Sequence, residues 1–395
     1  MNLKEHEGRA LLTKYGIPVP RGFLAYSGLA AVEETAGGGD TAGRINEDLK
    51  KFALIAPDVK RLALKAQLKT GKRGKSGGII FADVSQIAEK AEELSGKVIR
   101  DEKVEEILVV EALDVAREFY LSIALDRFER CPVLITSSEG GIDIEETAET
   151  APEKINKIFL RDLASFPEKE LTAVLTTFGL SGGVAGDFCG IAKGLMELFN
   201  KEDCLLAEIN PLILTTENKL IAADAKIVVD DNSIFRHPEN SAILRGGFSK
   251  LENEANSIGL SYVELDGELA IIGNGAGLVM ATLDAVKDFG AKPANFCDAG
   301  GGASKEMIEK AMEIVLQKKS ARAVFINIFG GITRCDLVAE GITGYLKKNK
   351  ITIPMVVRMV GTNEEAGKKI LMEAGIGAYS KFEEAAREAA KIVAN

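Results

Sequence analysis

The sequence predicts a protein of mixed α/β and α+β class, with an irregular first half and a second half built on a parallel sheet, and three observations carry that prediction. The chain has 395 residues, more than the ~250–300 at which one core usually stops growing. From Leu265-Asp-Gly267 onward, an apolar run, a glycine-rich turn and a helical pattern recur every 25–30 residues or so, the βα repeat of a parallel sheet. Upstream of that point, β-rich runs alternate irregularly with amphipathic helices.

In chain order, Leu3, Ala10, Leu11 and Tyr15 at roughly helical spacing, with Gly16 and Pro18 as stop signals, predict a helix over about 3–15. The stretch 37–43, Gly-Gly-Gly-Asp-Thr-Ala-Gly, breaks periodicity and reads as a surface loop or insertion. Strands are expected over 62–68, 107–110, 119–124, 133–137 and 220–223, and helices over 85–94 and 168–175. In the second half, strands are expected over 269–273, 294–297, 323–328, 355–359 and 377–380, each followed by a helix. Five such pairs predict a flavodoxin-like or Rossmann-like domain, whose ligands meet the loops at the carboxyl ends of the strands. The glycine-rich segments of this half all fall there.

Composition narrows the class. At 46% hydrophobic and 27% charged residues, the chain can bury sizeable cores under a solvated surface, unlike disordered or collagen-like chains. No apolar run approaches the ~20 residues of a membrane span, and MNLKEHEGRA is too charged for a secretory signal, so a cytoplasmic protein with no membrane partner is expected. A net charge of −10 argues against a nucleic-acid partner, although local basic loops could still bind a small phosphorylated ligand. Cys131, Cys189, Cys204, Cys297 and Cys335 lack metal-knuckle spacing and are expected to be reduced and mostly buried. The two histidines, His6 and His237, limit which residue of this chain could act as base or nucleophile.

Four motifs carry candidate chemistry. Lys69-Thr-Gly-Lys-Arg-Gly-Lys-Ser-Gly-Gly78 joins glycines, which let backbone approach an anion, to flanking cations. It is not a Walker A loop, because only two residues separate Gly71 from Gly74-Lys75-Ser76. Phosphate binding and a solvated basic hairpin both fit it. Lys65, amid Leu62, Ala63, Leu64 and Ala66, calls for a buried anionic partner. Glu208-Ile-Asn210-Pro211 and Leu220-Ile-Ala-Ala-Asp224, linked through 215–219, form a plausible hairpin bringing Asn210 near Asp224, two oxygen ligands of the kind that hold Mg²⁺ with substrate phosphates. Two polar residues at strand ends is the plainer alternative. In the second half, Gly300, Gly301 and Gly302 precede Ser304 and a helix whose amino end could face an anion, or they form a flexible joint. Asn274-Gly275 and Gly330-Gly331-Ile332-Thr333-Arg334 lie at strand ends and could bind a small carboxylate. Leu278 stands where a dinucleotide fingerprint needs glycine, which argues against NAD.

Together with Glu111-Ala-Leu-Asp-Val-Ala-Arg-Glu118, Glu139-Gly-Gly-Ile-Asp-Ile-Glu-Glu146 and Asn327-Ile-Phe-Gly-Gly-Ile332, these motifs resemble the β subunits of succinate–CoA ligases from Met1 to the last helix. The resemblance implies an ATP-grasp domain over 1–240 and a flavodoxin-like CoA-ligase domain over 247–395. It implies that Lys65, Lys72, Arg73 and Gly74 hold nucleotide phosphates and that Glu111, Leu113 and Glu118 surround base and ribose. Asn210 and Asp224 would bind Mg²⁺. Asn274, Gly331, Ile332 and Thr333 would hold the organic acid. The helix after Gly300–Gly302 would face a phosphorylated histidine, positioned with help from Glu208, on a partner α subunit that also binds most of the CoA. That fits a chain whose histidines lie outside every motif. The implied chemistry is reversible ADP/ATP-linked acyl-CoA formation through an acyl phosphate.

Pro20 matches the ATP-preferring form of the family. Lys72 stands where glycine is common, the stretch 37–59 looks long, and Thr333 replaces the usual valine. A threonine hydroxyl beside the acid keeps malate and citrate open beside succinate. A stand-alone ligase or a non-catalytic nucleotide-sensing module is the alternative of a different class, although no nucleophile or CoA pocket of its own is legible.

Overall fold

The computed structural model describes residues 1–26, 41–68, 77–99, 102–141, 144–238, 243, 246 and 248–394, and of 41–44 the backbone alone. The chain divides into two compact units, Met1–Ser241 and Ala242–Asn395. Among the described residues, no helix is long and apolar enough to cross a membrane. All five cysteines are free thiols, and four are buried.

The first unit runs α1 (Glu5–Lys14), β1 (Gly22–Tyr26), α2 (Thr41–Ile55), β2 (Arg61–Ala66), β3 (Ile79–Asp83), α3 (Ile87–Leu94), β4 (Val98–Ile99), β5 (Glu102–Lys103), β6 (Glu106–Glu111), β7 (Val115–Asp126), β8 (Cys131–Ser137), α4 (Ile144–Thr150), β9 (Ile155–Phe159), α5 (Glu168–Thr177), α6 (Gly182–Lys201), β10 (Cys204–Thr215), β11 (Leu220–Ala222) and β12 (Lys226–Val229). Two antiparallel sheets organise it. One has the order β1-β6-β2-β3, and the other β11-β10-β7-β8-β9 with β12 also paired to β10. The 112–114 segment passes from β6 in the first sheet to β7 in the second.

Strand alternation fixes what each face of β2 meets. Leu62, Leu64 and Ala66 pack with Ile45, Leu49 and Phe52 of α2 and Ile87, Ala91 and Leu94 of α3, two helices with apolar residues at i, i+4 and i+7. Ala63 packs on the other face with Leu108 and Val110, and Lys65 shares that face. In the second sheet, Phe119 of β7 stacks on Phe178 and meets Phe188 of α6 edge-on.

The second unit adds α7 (Lys250–Ser257), β13 (Ser261–Glu264), β14 (Leu269–Gly273), α8 (Ala276–Asp288), β15 (Asn295–Asp298), α9 (Lys305–Gln317), β16 (Ala323–Gly330), α10 (Cys335–Lys348), β17 (Met355–Gly361), α11 (Glu364–Glu373), β18 (Ala378–Tyr379) and α12 (Phe382–Ala394). Its sheet order is β13-β15-β14-β16-β17-β18. The five parallel strands are ordered 2-1-3-4-5, the flavodoxin-like winding, whose switch point lies between β14 and β16. Both faces are covered, which is why these strands read as continuous apolar runs. Ala270, Ile272, Val324 and Ile326 pack among Ile308, Met312, Val338 and Leu371. Leu269, Ile271 and Phe325 pack among Val279, Val286, Ala386 and Ala389.

Two expectations need correction. The 37–43 loop is not a loop over its later residues, because helix α2 begins at Thr41, and residues 37–40 lie outside the described residues. The apolar spacing of Ile45, Leu49 and Phe52 carried that helix, and the flanking glycines obscured it. The parallel sheet also has a sixth strand: β13 pairs antiparallel with β15, Tyr262 opposite Cys297.

Candidate functional site

The first cluster lies where the two sheets of the first unit meet. Lys65 is 8% exposed, and its ammonium donates to Glu5 Oε1 of α1 at 2.7 Å and to the Ala223 carbonyl at 2.6 Å. The buried anion required by Lys65 is therefore Glu5, and the second bond ties the first sheet to the segment leading into Asp224. Along β10 the register is the same on both sides of a gap, with Glu208 opposite Lys226 and Leu212 opposite Ala222. Asn210 thus falls opposite Asp224, and the Ala223 amide donates to the Pro211 carbonyl at 3.0 Å.

Asn210 reaches a third element, since its Oδ1 accepts from the Gly141 amide at 2.8 Å. Next to it, Gly140 donates through its amide to the Glu118 carbonyl at 3.1 Å. Gly141 has φ +73° and so little room that an added Cβ would sit 2.4 Å from Glu118 Oε2. Lys65, the segment leading into Asp224, the Asn210-Pro211 pair, the 140–141 loop and Glu118 are therefore linked in turn by the Lys65–Ala223, Ala223–Pro211, Asn210–Gly141 and Gly140–Glu118 hydrogen bonds. Burial raises the Glu118 carboxyl above its ordinary value. Glu208 is raised as well, by burial first and then by the charges of Glu145 and Asp224, against Lys226, which favours its ionised form. Around Glu208, the charges of Glu145 and Asp224 add to the effect of burial. Among the described residues, no group of three or more His, Cys, Asp or Glu could hold a metal.

Glu111 ends β6 and accepts from Arg21, through the amide at 2.7 Å and through Nε at 2.8 Å. Arg21 also forks onto Asp58 at 2.9 and 2.7 Å. Leu113 is half-buried in the crossing segment between the sheets. Pro20 is buried, and its carbonyl accepts from the Arg9 guanidinium. Lys72, Arg73 and Gly74 lie outside the described residues. His6 follows Glu5 in α1 and contacts Gln67 Oε1 through Nδ1 at 3.2 Å, while Gln67 Nε2 donates to the Lys65 carbonyl at 3.1 Å; His237 contacts Asp203 through Nε2 at 2.8 Å.

The second cluster sits at the carboxyl ends of β14, β15 and β16. Asn274 donates from Nδ2 to the Phe329 carbonyl and to Thr333 Oγ1, both at 3.0 Å, and its Oδ1 accepts from the Phe329 amide at 2.9 Å. Thr333 Oγ1 also accepts from the Gly302 amide at 2.9 Å. Asp298 Oδ1 accepts from the amides of Gly275 and Gly300, at 2.6 and 2.7 Å. Ser304 caps α9, accepting from the Met307 amide at 3.2 Å, and Gly300–Gly302 curl ahead of it with φ of +81° at Gly300 and +100° at Gly302. Gly301, Gly302 and Ser304 are exposed, and so are Gly331 and Ile332.

Thr333 corrects the reading of its hydroxyl. The residue is 1% exposed and spends its oxygen on two loops, so the side chain does not stand beside an open site. Arg334 is exposed and paired with Asp336 at the start of α10. Sequence reasoning gave no role to Glu5, Arg21, Gly141 or Asp298. Gly141 lay inside a quoted motif and Asp298 two residues ahead of Gly300, whereas Glu5 and Arg21 carry no signal until the fold brings them to Lys65 and Glu111.

Two family models match the chain, an ATP-grasp domain over residues 2–214 and a CoA-ligase over 272–393. A pair of sheets of the ATP-grasp kind followed by a CoA-ligase unit defines a nucleotide-using acid–CoA ligase. The relatives fix the branch. The β subunit of an ADP-forming succinate–CoA ligase from Ignicoccus hospitalis is 42% identical, covering 99% of each chain. A GDP-forming counterpart from Thermus thermophilus is 42% identical over 98% of this chain and 97% of its own, and an ADP-forming one from Methanocaldococcus jannaschii is 41% identical over 98% and 99%. The chain belongs to the family of succinate–CoA ligase β subunits, and a β subunit implies an α-type partner. Among solved structures, ATP citrate lyase from Methanothrix soehngenii, in complex with citrate and coenzyme A, superposes with a TM-score of 0.71 at 17% identity, covering 100% of this chain and 99% of that one. That likeness speaks for the fold.

Proposed function

We propose that this chain grips magnesium-bound ATP or ADP in its first unit and a dicarboxylic acid, succinate, in its second. With an α-type subunit that carries a phosphorylated histidine and most of the CoA site, it interconverts ATP, succinate and CoA with ADP, phosphate and succinyl-CoA. The observation that carries the reading is the set of hydrogen bonds that links Lys65, the 223–224 segment, the Asn210-Pro211 pair, the 140–141 loop and Glu118 in turn, which gathers a cation, two oxygen ligands and a carboxylate in one place. Oxygen donors are what Mg²⁺ takes, and it is usually held by one or two protein ligands together with substrate phosphates. Asn210 and Asp224 would hold the ion, which when bound neutralises developing charge on the phosphates. Lys65, with Lys72, Arg73 and Gly74, would hold phosphate oxygens, while Glu111, Leu113 and Glu118 would flank base and ribose.

In the synthetic direction, the γ-phosphoryl of ATP passes to the partner's histidine as its bond to the ADP oxygen breaks. The N–P bond then breaks as a succinate carboxylate oxygen takes the phosphoryl. CoA thiolate next attacks the acyl carbon and phosphate leaves. The chain's own work is positioning and charge neutralisation. Glu208 would orient the histidine, and the exposed amino end of α9 after Gly300–Gly302 would face its phosphate. Asn274 and the backbone of Gly331, Ile332 and Thr333 would hold the acid. With the Thr333 hydroxyl turned inward, the side-chain argument for malate or citrate loses its support. We further propose ATP over GTP, resting on Pro20, since relatives of both nucleotide types share 42% identity with this chain.

The test is reconstitution with the α-type subunit of the same organism, assayed with succinate, malate and citrate and with ATP and GTP. The reading expects succinate- and ATP-dependent acyl-CoA formation by the pair and none by this chain alone. Turnover by the lone chain, or preference for citrate, contradicts it.

A further inference from the structure

We propose that Arg21 is a positioning residue for the base and ribose of the nucleotide, acting through Glu111 to fix the 111–114 segment against the turn between α2 and β2. The proposal rests on the functional reading above and deepens it, because Glu111 and Leu113 are the residues set there beside base and ribose. Arg21 grips the Glu111 carboxylate with both its backbone and its side chain. Its amide donates to Oε1 at 2.7 Å, its Nε donates to Oε2 at 2.8 Å, and its Nη2 lies 2.6 Å from Oε2. In return, the Arg21 carbonyl accepts from the Glu111 amide at 2.8 Å. The far edge of the same guanidinium forks onto Asp58 at 2.9 and 2.7 Å. One residue thus joins the entry to β1, the end of β6 and the α2–β2 turn, three places far apart in sequence.

The surrounding backbone makes this clamp more than a surface ion pair. Next to Arg21, Gly22 presses so closely on β6 that an added Cβ would sit 2.2 Å from the Val109 carbonyl oxygen, so the strand that carries Arg21 has no freedom to move away from Glu111. Beyond Glu111, the Ala112 amide donates to the Arg61 carbonyl and the Asp114 carbonyl accepts from the Thr216 amide, both at 3.0 Å. An ionised carboxylate has about four lone-pair sites and accepts only. The Arg21 amide and Nε take two of them, which fixes the plane of the group and leaves the rest to a donor such as a ribose hydroxyl or an exocyclic amine. Planar bidentate geometry of this kind belongs to arginine and is not reproduced by lysine. The Glu111 side chain is 13% exposed and that of Arg21 45%. The clamp therefore falls between an exposed pair, worth a factor of a few, and a buried charged bond, worth more than tenfold, and its loss is expected to cost about tenfold in nucleotide affinity.

The experiment uses the complete complex with Arg21→Met, Arg21→Lys, Glu111→Ala and the double variant Arg21→Met/Glu111→Ala; Arg21→Gln replaces the methionine variant should that one not fold. Arg21→Met is expected to raise KM for ATP about tenfold, with KM for succinate within about twofold of the parent and kcat at saturating ATP within about threefold. Arg21→Lys keeps the charge without the fork and should recover part of the loss, to about threefold above the parent. Because Arg21 acts through Glu111, its removal from the Glu111→Ala background should cost no more than about a further twofold. Full additivity of the two substitutions, which a plain attraction between the Arg21 charge and the phosphates would give, overturns the proposal. An unchanged KM for ATP in Arg21→Met, or a KM for succinate that rises with it, overturns it as well. A parent complex without nucleotide-dependent turnover sinks the functional reading. Hydrogen exchange at the amides of Glu111 and Ala112, which needs no turnover, then decides the clamp by itself: it should quicken about tenfold in Arg21→Met and by no more than about threefold in Arg21→Lys, and unchanged exchange in Arg21→Met refutes it.

Discussion

Lys65→Met is the substitution whose consequences separate structure from function most clearly. In the folded chain Lys65 is 8% exposed, Glu5 is 3% exposed, and the pair meets at 2.7 Å. Removing the ammonium leaves the Glu5 carboxylate in its buried setting without that cation, a loss that typically costs ~3–5 kcal/mol. For a unit of this size, each kcal/mol moves the melting temperature by about 2–4 °C, so a fall of roughly 6–20 °C is expected. Replacing both partners by apolar residues of similar volume is often neutral. The double variant Glu5→Leu/Lys65→Met should therefore recover most of that fall. Nucleotide affinity should not follow stability: if Lys65 holds phosphate, single and double variants both lose one charge-assisted contact of ~1.5–3 kcal/mol, about 10–150-fold in Kd. Thermal unfolding followed by circular dichroism and calorimetric titration with magnesium ADP read the two quantities separately. A single variant destabilised by less than about 1 kcal/mol, or a double variant no more stable than the single, refutes the buried-pair reasoning. A stable double variant that binds ADP like the parent makes Lys65 a structural residue only.

Four further outcomes follow from the same geometry. Burial and the charges of Glu145 and Asp224 hold the Glu208 carboxyl above its ordinary value of 4.5; the folded state then keeps a proton that the unfolded state has lost, so stability falls as pH rises through the window just above that value. Glu208→Gln should abolish that fall, leaving the variant more stable than the parent at neutral pH and no different below the ordinary glutamate range, while slowing phosphorylation of the partner; denaturant midpoints across pH check the first part. Asp224→Asn should raise the magnesium concentration needed for half-maximal nucleotide binding by at least about tenfold, and equal magnesium curves for variant and parent would remove Asp224 from the ion's ligands. Gly141→Ala puts a methyl group against Glu118 at a φ of +73°, which costs ~1–2 kcal/mol of backbone strain and should weaken ADP binding, because Gly141 also holds Asn210; unchanged affinity would show that the 140–141 loop plays no part in the site. Pro20→Gln should narrow the gap between ATP and GTP in kcat/KM, and a gap that stays the same places nucleotide choice elsewhere.

The second unit was the more legible half because its two periodicities agree: apolar strands buried on both faces and helices with one apolar stripe leave few ways to pack. Helix α7 and β13, a short antiparallel edge strand, escaped because both precede the βα repeat. The first unit hid more. Helix α2 lay behind a glycine-rich stretch, although Ile45, Leu49 and Phe52 marked its buried face. The juxtaposition of Asn210 with Asp224 could be read from a hairpin, since an antiparallel register is set by a short turn. Glu5 beside Lys65, Arg21 beside Glu111 and Gly141 against Glu118 could not, because each joins elements far apart in sequence. Thr333 shows the limit most plainly. Its residue type suggested a hydroxyl offered to a ligand, but orientation decides that, and the loop turns the hydroxyl inward to Asn274 and Gly302.

The central claim is that this chain grips nucleotide and passes its phosphoryl group to a histidine on another polypeptide. Incubating the purified chain with its α-type partner and ATP labelled in the γ-phosphate, then separating the subunits, measures that transfer directly. The account predicts acid-labile label on the α subunit alone, discharged by succinate together with CoA. Label on this chain, or label on the partner that succinate and CoA leave in place, contradicts it.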